Sequence, residues 1–212
     1  SRDIHGMKAL NERVIKVAKG AAMMTETEVE VKVLSAVSNL LGNTPMEEIM
    51  FANMERLGPV EFDESDRAYA RQIQGTLTEE DIRSDYARSG APVRDDTPLC
   101  DFLVPLEAEG EAMIGSTDVG DVSWAVPTVQ ARVATHAIGT PGHSWQITAQ
   151  GKAGPAHKGL VYAAKVMAGT AVDLLTDPDL LESAKADHRA RTTRMPYESP
   201  IPADVKAPIQ PR

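Results

Sequence analysis

The stretch Thr25–Leu34, TETEVEVKVL, alternates with a period of two: Val29, Val31 and Val33 fall on one side, Glu28, Glu30 and Lys32 on the other. That alternation predicts a half-buried strand over Thr27–Leu34. Immediately before it, Met7, Leu10, Val14, Val17, Ala18 and Ala21 recur at helical spacing, with Lys8, Asn11, Glu12, Lys16 and Lys19 opposite. A helix and a strand bury too little surface to close a core alone. The expectation is that this N-terminal part is poorly ordered or packs against another chain. SRDIHGMKALNERV also opens at the lip of a helix without a methionine, which reads as part of a longer polypeptide.

Downstream, GNTPMEEIMFANMERLGP carries a full set of helix signals. Thr44 is the expected N-cap, Pro45 the first helical residue, Glu47 the partner in a capping box, and Gly58-Pro59 the stop. Met46, Ile49, Met50, Met54 and Leu57 form its apolar face, which is core filling rather than a binding groove. A second helix spans about Glu64 to Gln74. From Thr76 to Glu111 the chain is acidic and broken by Pro92, Pro98 and Pro105, so loop is expected, with a helical turn near Glu79 to Arg88.

Short strands are expected at Ala112–Ile114, Val129–Ala134 and Trp145–Ala149. A helix over Ala156–Leu175 turns Leu160, Val161, Ala164, Met167, Ala168, Ala171, Val172 and Leu175 inward. Another runs from Pro178 to about Arg191, capped by Asp177. The tail from Met195 has five prolines and reads as an extended strap. Strands mixed with helices give an α/β class.

Composition narrows the function. The 212 residues are 42% hydrophobic, enough for a real core, and the net charge of −9 argues against nucleic acid as partner. No apolar run of membrane-spanning length is apparent, so no membrane is expected. A single cysteine, Cys100, excludes an intrachain disulfide and fits a reducing cytoplasm. Its acidic surroundings make it a poor nucleophile. Neither a Gly-x-Ser-x-Gly elbow nor a Gly-rich phosphate loop occurs.

The chemistry-bearing candidates cluster in GTPGHSWQITAQGKAGPAHKG, Gly139–Gly159. His157, between Pro155 and an apolar helix, either caps the helix and faces water or ligates a metal from a fixed turn. His143 has the same ambiguity in a freer turn, as a second ligand, a proton carrier or a substrate contact. His136 reads as structural, and His5 and His188 as surface residues. GSTDVGDVSW places Asp118 and Asp121 on a Gly-rich turn where α/β proteins build sites. For Asp121 an Asx turn and helix N-cap is the better reading; for Asp118 both readings stay open.

Three segments, GAAMMTETEVEVKVLSAVSNLLGN, GSTDVGDVSWAVPTVQARVATHAIGTPGHSW and AHKGLVYAAKVMAGTAVDLLTDP, together resemble the dinuclear-metal aminoacylase and carboxypeptidase family of amidohydrolases. The resemblance covers nearly the whole chain and is weakest over Thr76–Glu107 and in the tail. It implies a mixed-sheet α/β catalytic domain interrupted by an α+β lid domain that dimerises. It also implies two divalent ions, zinc or manganese, that activate a bridging water, with a glutamate as general base. On this reading residues 1–37 end the lid and 38–212 form the C-terminal part of the catalytic domain. The family's His-x-Asp and Glu-Glu ligand motifs have no counterpart here. Position by position, His157 matches the last metal ligand and Asn43 an asparagine facing the active-site region. Asp118 matches the acidic residue of a Gly-Ser-Glu-Asp-Phe turn, whose glutamate is Thr117 here.

The resulting expectation is part of a cytoplasmic, metal-dependent amidohydrolase acting on N-acyl amino acid amides such as aminobenzoyl-glutamate, or on dipeptides. Its metal ligand is His157, its candidate catalytic residues are Asp118 and His143, and its candidate substrate contacts are Asn43 and His143. A homodimer through the lid is implied. By itself the chain is expected to be inactive. The alternative is a non-enzymatic domain kept for assembly or for binding a partner chain.

Overall fold

A computed structural model describes residues 3–111, 115 and 117–206. Every regular element among them is a helix: α1 Ile4–Met24, α2 Thr44–Leu57, α3 Glu64–Gln74, α4 Glu79–Ser89, α5 Val119–Ala125, α6 Trp145–Gln150, α7 Gly154–Thr176 and α8 Pro178–Arg194. This corrects the mixed-sheet α/β expectation. A strand exists only when a second segment exchanges backbone hydrogen bonds with it, and Thr27–Leu34 has no such partner among the described residues. Its alternation survives as irregular chain, with Val29 and Val31 exposed. Val129–Ala134 is likewise unpaired, and Trp145–Ala149 lies in α6, nucleated by Ser144, whose Oγ accepts the Ile147 amide. The strand expected at Ala112–Ile114 falls outside the described residues.

The chain divides into two compact units. One comprises Ser1–Gly42, Ile114–Thr128 and Ala186–Arg212; the other comprises Asn43–Met113 and Val129–Lys185.

The second unit contains the larger core. Met50, Val60, Phe62, Ala70, Ile73, Leu99, Ala137, Tyr162 and Val166 form one buried cluster, and Tyr86, Ala91 and Ile138 a smaller one. Helix α2 is capped one residue earlier than its sequence signals suggested. Asn43, not Thr44, is the N-cap, its Oδ1 accepting the Met46 amide at 3.1 Å. The other end of the same amide is also used: Nδ2 of Asn43 donates to the Ala184 carbonyl at 2.8 Å. Capping boxes do occur, but on α3 (Asp63 with Asp66) and α4 (Thr78 with Asp81).

Helix α7 packs on α2, and not with the face its periodicity suggested. Its buried residues are Pro155, Gly159, Tyr162, Val166 and Thr170, while Leu160, Val161, Met167, Val172 and Leu175 are exposed. Close approach decides the outcome. Neither Gly169, against the Asn53 side chain, nor Gly159, against the Ala134 carbonyl, leaves room for a Cβ. Glycines at these two positions let backbone and polar groups come within hydrogen-bonding range, and the Asn53 amide donates to Asp173 Oδ2 at 2.6 Å. By length and composition α7 is also the one described helix apolar enough to cross a membrane, which corrects the expectation that no such run exists.

The first unit is organised by polar contacts around α5. Asp121 accepts the Ser38 amide (3.1 Å) and hydroxyl (2.8 Å) and the Tyr197 hydroxyl (2.9 Å). It therefore ties down an incoming loop instead of capping α5. Ser123 Oγ accepts the Leu41 amide at 2.8 Å, and Trp124 Nε1 donates to the Asn39 carbonyl at 2.8 Å. Leu10, Val14 and Val17 of α1 remain exposed.

Candidate functional site

The Gly139–Gly159 segment is built on a rigid approach. Gln150, buried, accepts the Ala137 amide with Oε1 at 2.8 Å and donates from Nε2 to Thr140 Oγ1 and the Gln146 carbonyl. The Gly139 amide donates to Asp85 at 2.8 Å, and the Gln74 side chain to the Ile138 carbonyl at 3.1 Å. Gly139, at φ +90°, lies too close to Ile82 to carry a side chain.

His143 sits at the end of this approach. Its backbone is left-handed, φ +57°, and its side chain is exposed. Histidine tolerates that region better than most residues, yet it remains an uncommon conformation. Ser144 follows at once as the α6 N-cap, with its hydroxyl donating to the Pro141 carbonyl at 2.7 Å. The turn is thus held from both ends, and the histidine projects from a defined backbone.

His157 lies in the first turns of α7, with Pro155 setting the local backbone and its own amide donating to the Ala153 carbonyl at 3.3 Å. The ring is exposed and shares the outward face with Leu160, Val161 and Ala164. Ala153 provides no side-chain cap. Sequence reasoning missed its neighbour. Lys158 bridges Asp63 (2.7 Å) and the buried Asp66, tying the α7 N-terminus to that of α3. The Lys158 hydrogen bond, followed by one from Ser65, holds the Asp63 carboxyl well below the usual range; Asp63 and Asp66 in turn raise the Lys158 ammonium. A lysine shortly after a Gly-Pro helix start, with an Asp pair elsewhere in the chain, is too common a pattern to have signalled this.

The remaining candidates are placed as follows. Asn43 is 1% exposed with both ends of its side chain engaged. Asp118 is exposed at the start of α5 and makes no capping bond; Thr117 Oγ1 lies 3.5 Å from it. It belongs to the first unit, whereas Asn43, His143 and His157 belong to the second. His136 is half-buried with Nδ1 3.0 Å from Thr135 Oγ1, and burial lowers its pKa. His5 is exposed, but His188 is half-buried with Nε2 3.0 Å from the Ser123 carbonyl. The Cys100 thiol is raised first by burial and then by Asp101 and Asp85, in the direction the acidic sequence suggested. It lines a cavity of about 460 Å³ with Met50, Met54, Phe102, Val133 and Tyr162; none of the site candidates reaches it.

Among the described residues no three His, Cys, Asp or Glu side chains converge in a metal-binding arrangement. A divalent centre needs three or four protein donors, and His157 supplies one. The donors of this chain alone do not fit a two-metal site.

The sequence is similar to a p-aminobenzoyl-glutamate hydrolase subunit of Escherichia coli (strain K12), with 38% identity over 204 residues. The resemblance to an amidohydrolase stands in this form, as similarity to a hydrolase subunit. That match covers 92% of this chain and 42% of the bacterial protein, so the chain spans less than half the length of the relative. No family model matches the chain, and no solved structure matches it.

Proposed function

We propose that this chain forms part of an amidohydrolase that cleaves N-acyl amino acid amides such as p-aminobenzoyl-glutamate or dipeptides. The 38% identity to a p-aminobenzoyl-glutamate hydrolase subunit, sustained over 92% of the chain, carries this reading. The proposed centre holds two divalent ions, zinc or manganese, which polarise the amide carbonyl and activate water when bound. His157 is the one ligand drawn from this chain, presented from the start of a rigid helix. The other donors are proposed to come from polypeptide outside these residues, since the chain covers 42% of its relative, and the chain alone is proposed to be inactive.

His143 is proposed to meet substrate or to carry a proton, because its side chain is exposed on a backbone fixed at Gly139 and Ser144. Asp118 is the acidic candidate from the α5 turn. The proposed role of Asn43 is indirect: its buried side chain fixes the start of α2 and the Ala184 backbone and so positions these elements without touching substrate. A cytoplasmic location and a homodimer through residues 1–37 complete the reading.

The test uses the complete polypeptide, matched to the full length of the relative. His157→Ala should lower metal stoichiometry by elemental analysis and abolish turnover, since even losses behind the ligand shell cost about 10–100-fold. His143→Ala should keep the metal and lose rate. Two retained ions and a near-normal rate in His157→Ala would overturn the ligand assignment.

A further inference from the structure

From Leu160 to Leu175, every exposed residue of α7 but one is apolar. Leu160 (71% exposed), Val161 (52%), Met167 (58%), Val172 (56%) and Leu175 (83%) are joined by exposed Ala164, Ala168 and Ala171, and Lys165 is the one charge among them. A helix face that serves as solvent surface carries mostly charged and polar side chains. This bare face amounts to on the order of 700 Å², above the roughly 300–600 Å² of the largest apolar patch on a typical monomer. His157, also exposed, stands one turn before Leu160 and Val161 on the same face.

We infer that the outer face of α7 is the surface on which the remaining polypeptide of the complete protein packs. That polypeptide lays an apolar face of its own along Leu160–Leu175 and brings metal-ligating side chains to the His157 end. The inference rests on the proposed ligand role of His157. An ion held by His157 needs two or three further protein donors at about 2.0–2.2 Å. No three candidate donors converge among the described residues, so the segment that brings them must come within a side-chain length of His157. Leu160 and Val161 lie only about 5 Å further along the helix axis, at 1.5 Å per residue. A segment that completes the site therefore lands on the stripe.

The length outside this chain suffices for such a cover. The match takes in 42% of the relative, which leaves more than half of a protein of that length to pack here. The area falls within the roughly 600–1,500 Å² over which domains of one chain meet. Two other occupants fit less well. A second copy of this chain would bring no group of three donors to His157, since its described residues hold none. A bilayer would need the helix free on all sides, whereas Tyr162, Val166 and Thr170 are buried and α7 packs on α2.

The test uses the complete polypeptide, matched to the full length of the relative. With p-benzoyl-phenylalanine in place of Met167, irradiation should give cross-linked peptides whose partner lies outside these 212 residues. A partner peptide within residues 1–212, from the same or a second copy, overturns the inference. So does flotation with phosphatidylcholine vesicles that Met167→Glu abolishes. The unsubstituted protein gives a second reading. Met167 should form its sulfoxide in dilute peroxide at least about tenfold more slowly in the native protein than in urea, as a covered thioether does. A native rate within about twofold of the urea rate would mean a bare stripe and overturns the inference. Metal content separates this result from the reading beneath it. Loss of an ion in His157→Ala, with Met167 freely oxidised in the unsubstituted protein, overturns the docking surface alone. Both ions retained in His157→Ala, with Met167 protected and cross-linked outside these residues, supports the docking surface and overturns the ligand assignment alone.

Discussion

Lys158 bridges two aspartates, Asp63 and Asp66, from the residue next to His157. The ion pair and the candidate ligand therefore share one turn of α7, pointing to different sides of it. Fixing one restrains the backbone that aims the other.

This linkage has a definite pH signature. Asp63 titrates lower in the folded chain than unfolded, so its contribution is present above the ordinary carboxylate range and is lost as pH falls through its depressed folded value. Lys158 titrates higher when folded, so its contribution is present below the ordinary lysine range and is lost as pH rises through the elevated value. Hydrogen exchange at the His157 and Lys158 amides should be pH-independent, after correction for intrinsic rates, between those limits and rise outside them. Lys158→Met should flatten the profile. Unchanged acid-side protection in that variant would show that the bridge does not hold the turn.

Losing the buried amide of Asn53 should be costly. Asn53 is 3% exposed and donates to Asp173 at 2.6 Å. Asn53→Ala leaves a partly buried carboxylate short of a donor and a void against Gly169, so a loss of about 1–3 kcal/mol is expected by urea unfolding. A change under about 0.5 kcal/mol, the range typical of surface sites, would show that α2 and α7 are not joined there.

The two faces of α7 should respond differently to the same truncation. Val166 is fully buried and Val172 is 56% exposed. Val166→Ala should cost roughly 2 kcal/mol from lost apolar burial and the cavity left behind. Val172→Ala, in this chain by itself, should stay within about 0.5 kcal/mol. A reversed order would restore the face predicted from periodicity.

Cys100 should be a slow thiol. Burial and the nearby Asp101 and Asp85 carboxylates raise it, so little thiolate is present near neutrality. Alkylation by iodoacetamide should be slower than for a free thiol at about pH 8, still accelerate above about pH 9, and become fast in urea. A plateau below about pH 8 would contradict the placement of its side chain.

Local signals were legible because they act over a few residues. Gly58 stops α2, Pro155 sits at the start of α7, and Asp177 accepts the Asp179 and Leu180 amides at the start of α8; each is settled by steric or hydrogen-bonding rules within one turn. The exposed placement of His143 and His157 was legible for the same reason, since Gly/Pro turns beside helices expose what they carry. The similarity to a hydrolase subunit was readable because it rests on residue identity, which needs no fold. Three things were decided only by tertiary structure. Val29, Val31 and Val33 alternate as a strand does, but pairing depends on a second segment far away in the chain. Asn43 takes the α2 cap from Thr44, and its spare amide reaches Ala184, 141 residues on. Leu160 to Leu175 is the more apolar face of α7, yet Gly159, Tyr162, Val166 and Thr170 are buried, because only glycines admit Asn53 and the Ala134 carbonyl so closely. Sequence sets the period of a face; the neighbour that can approach it decides which face is covered.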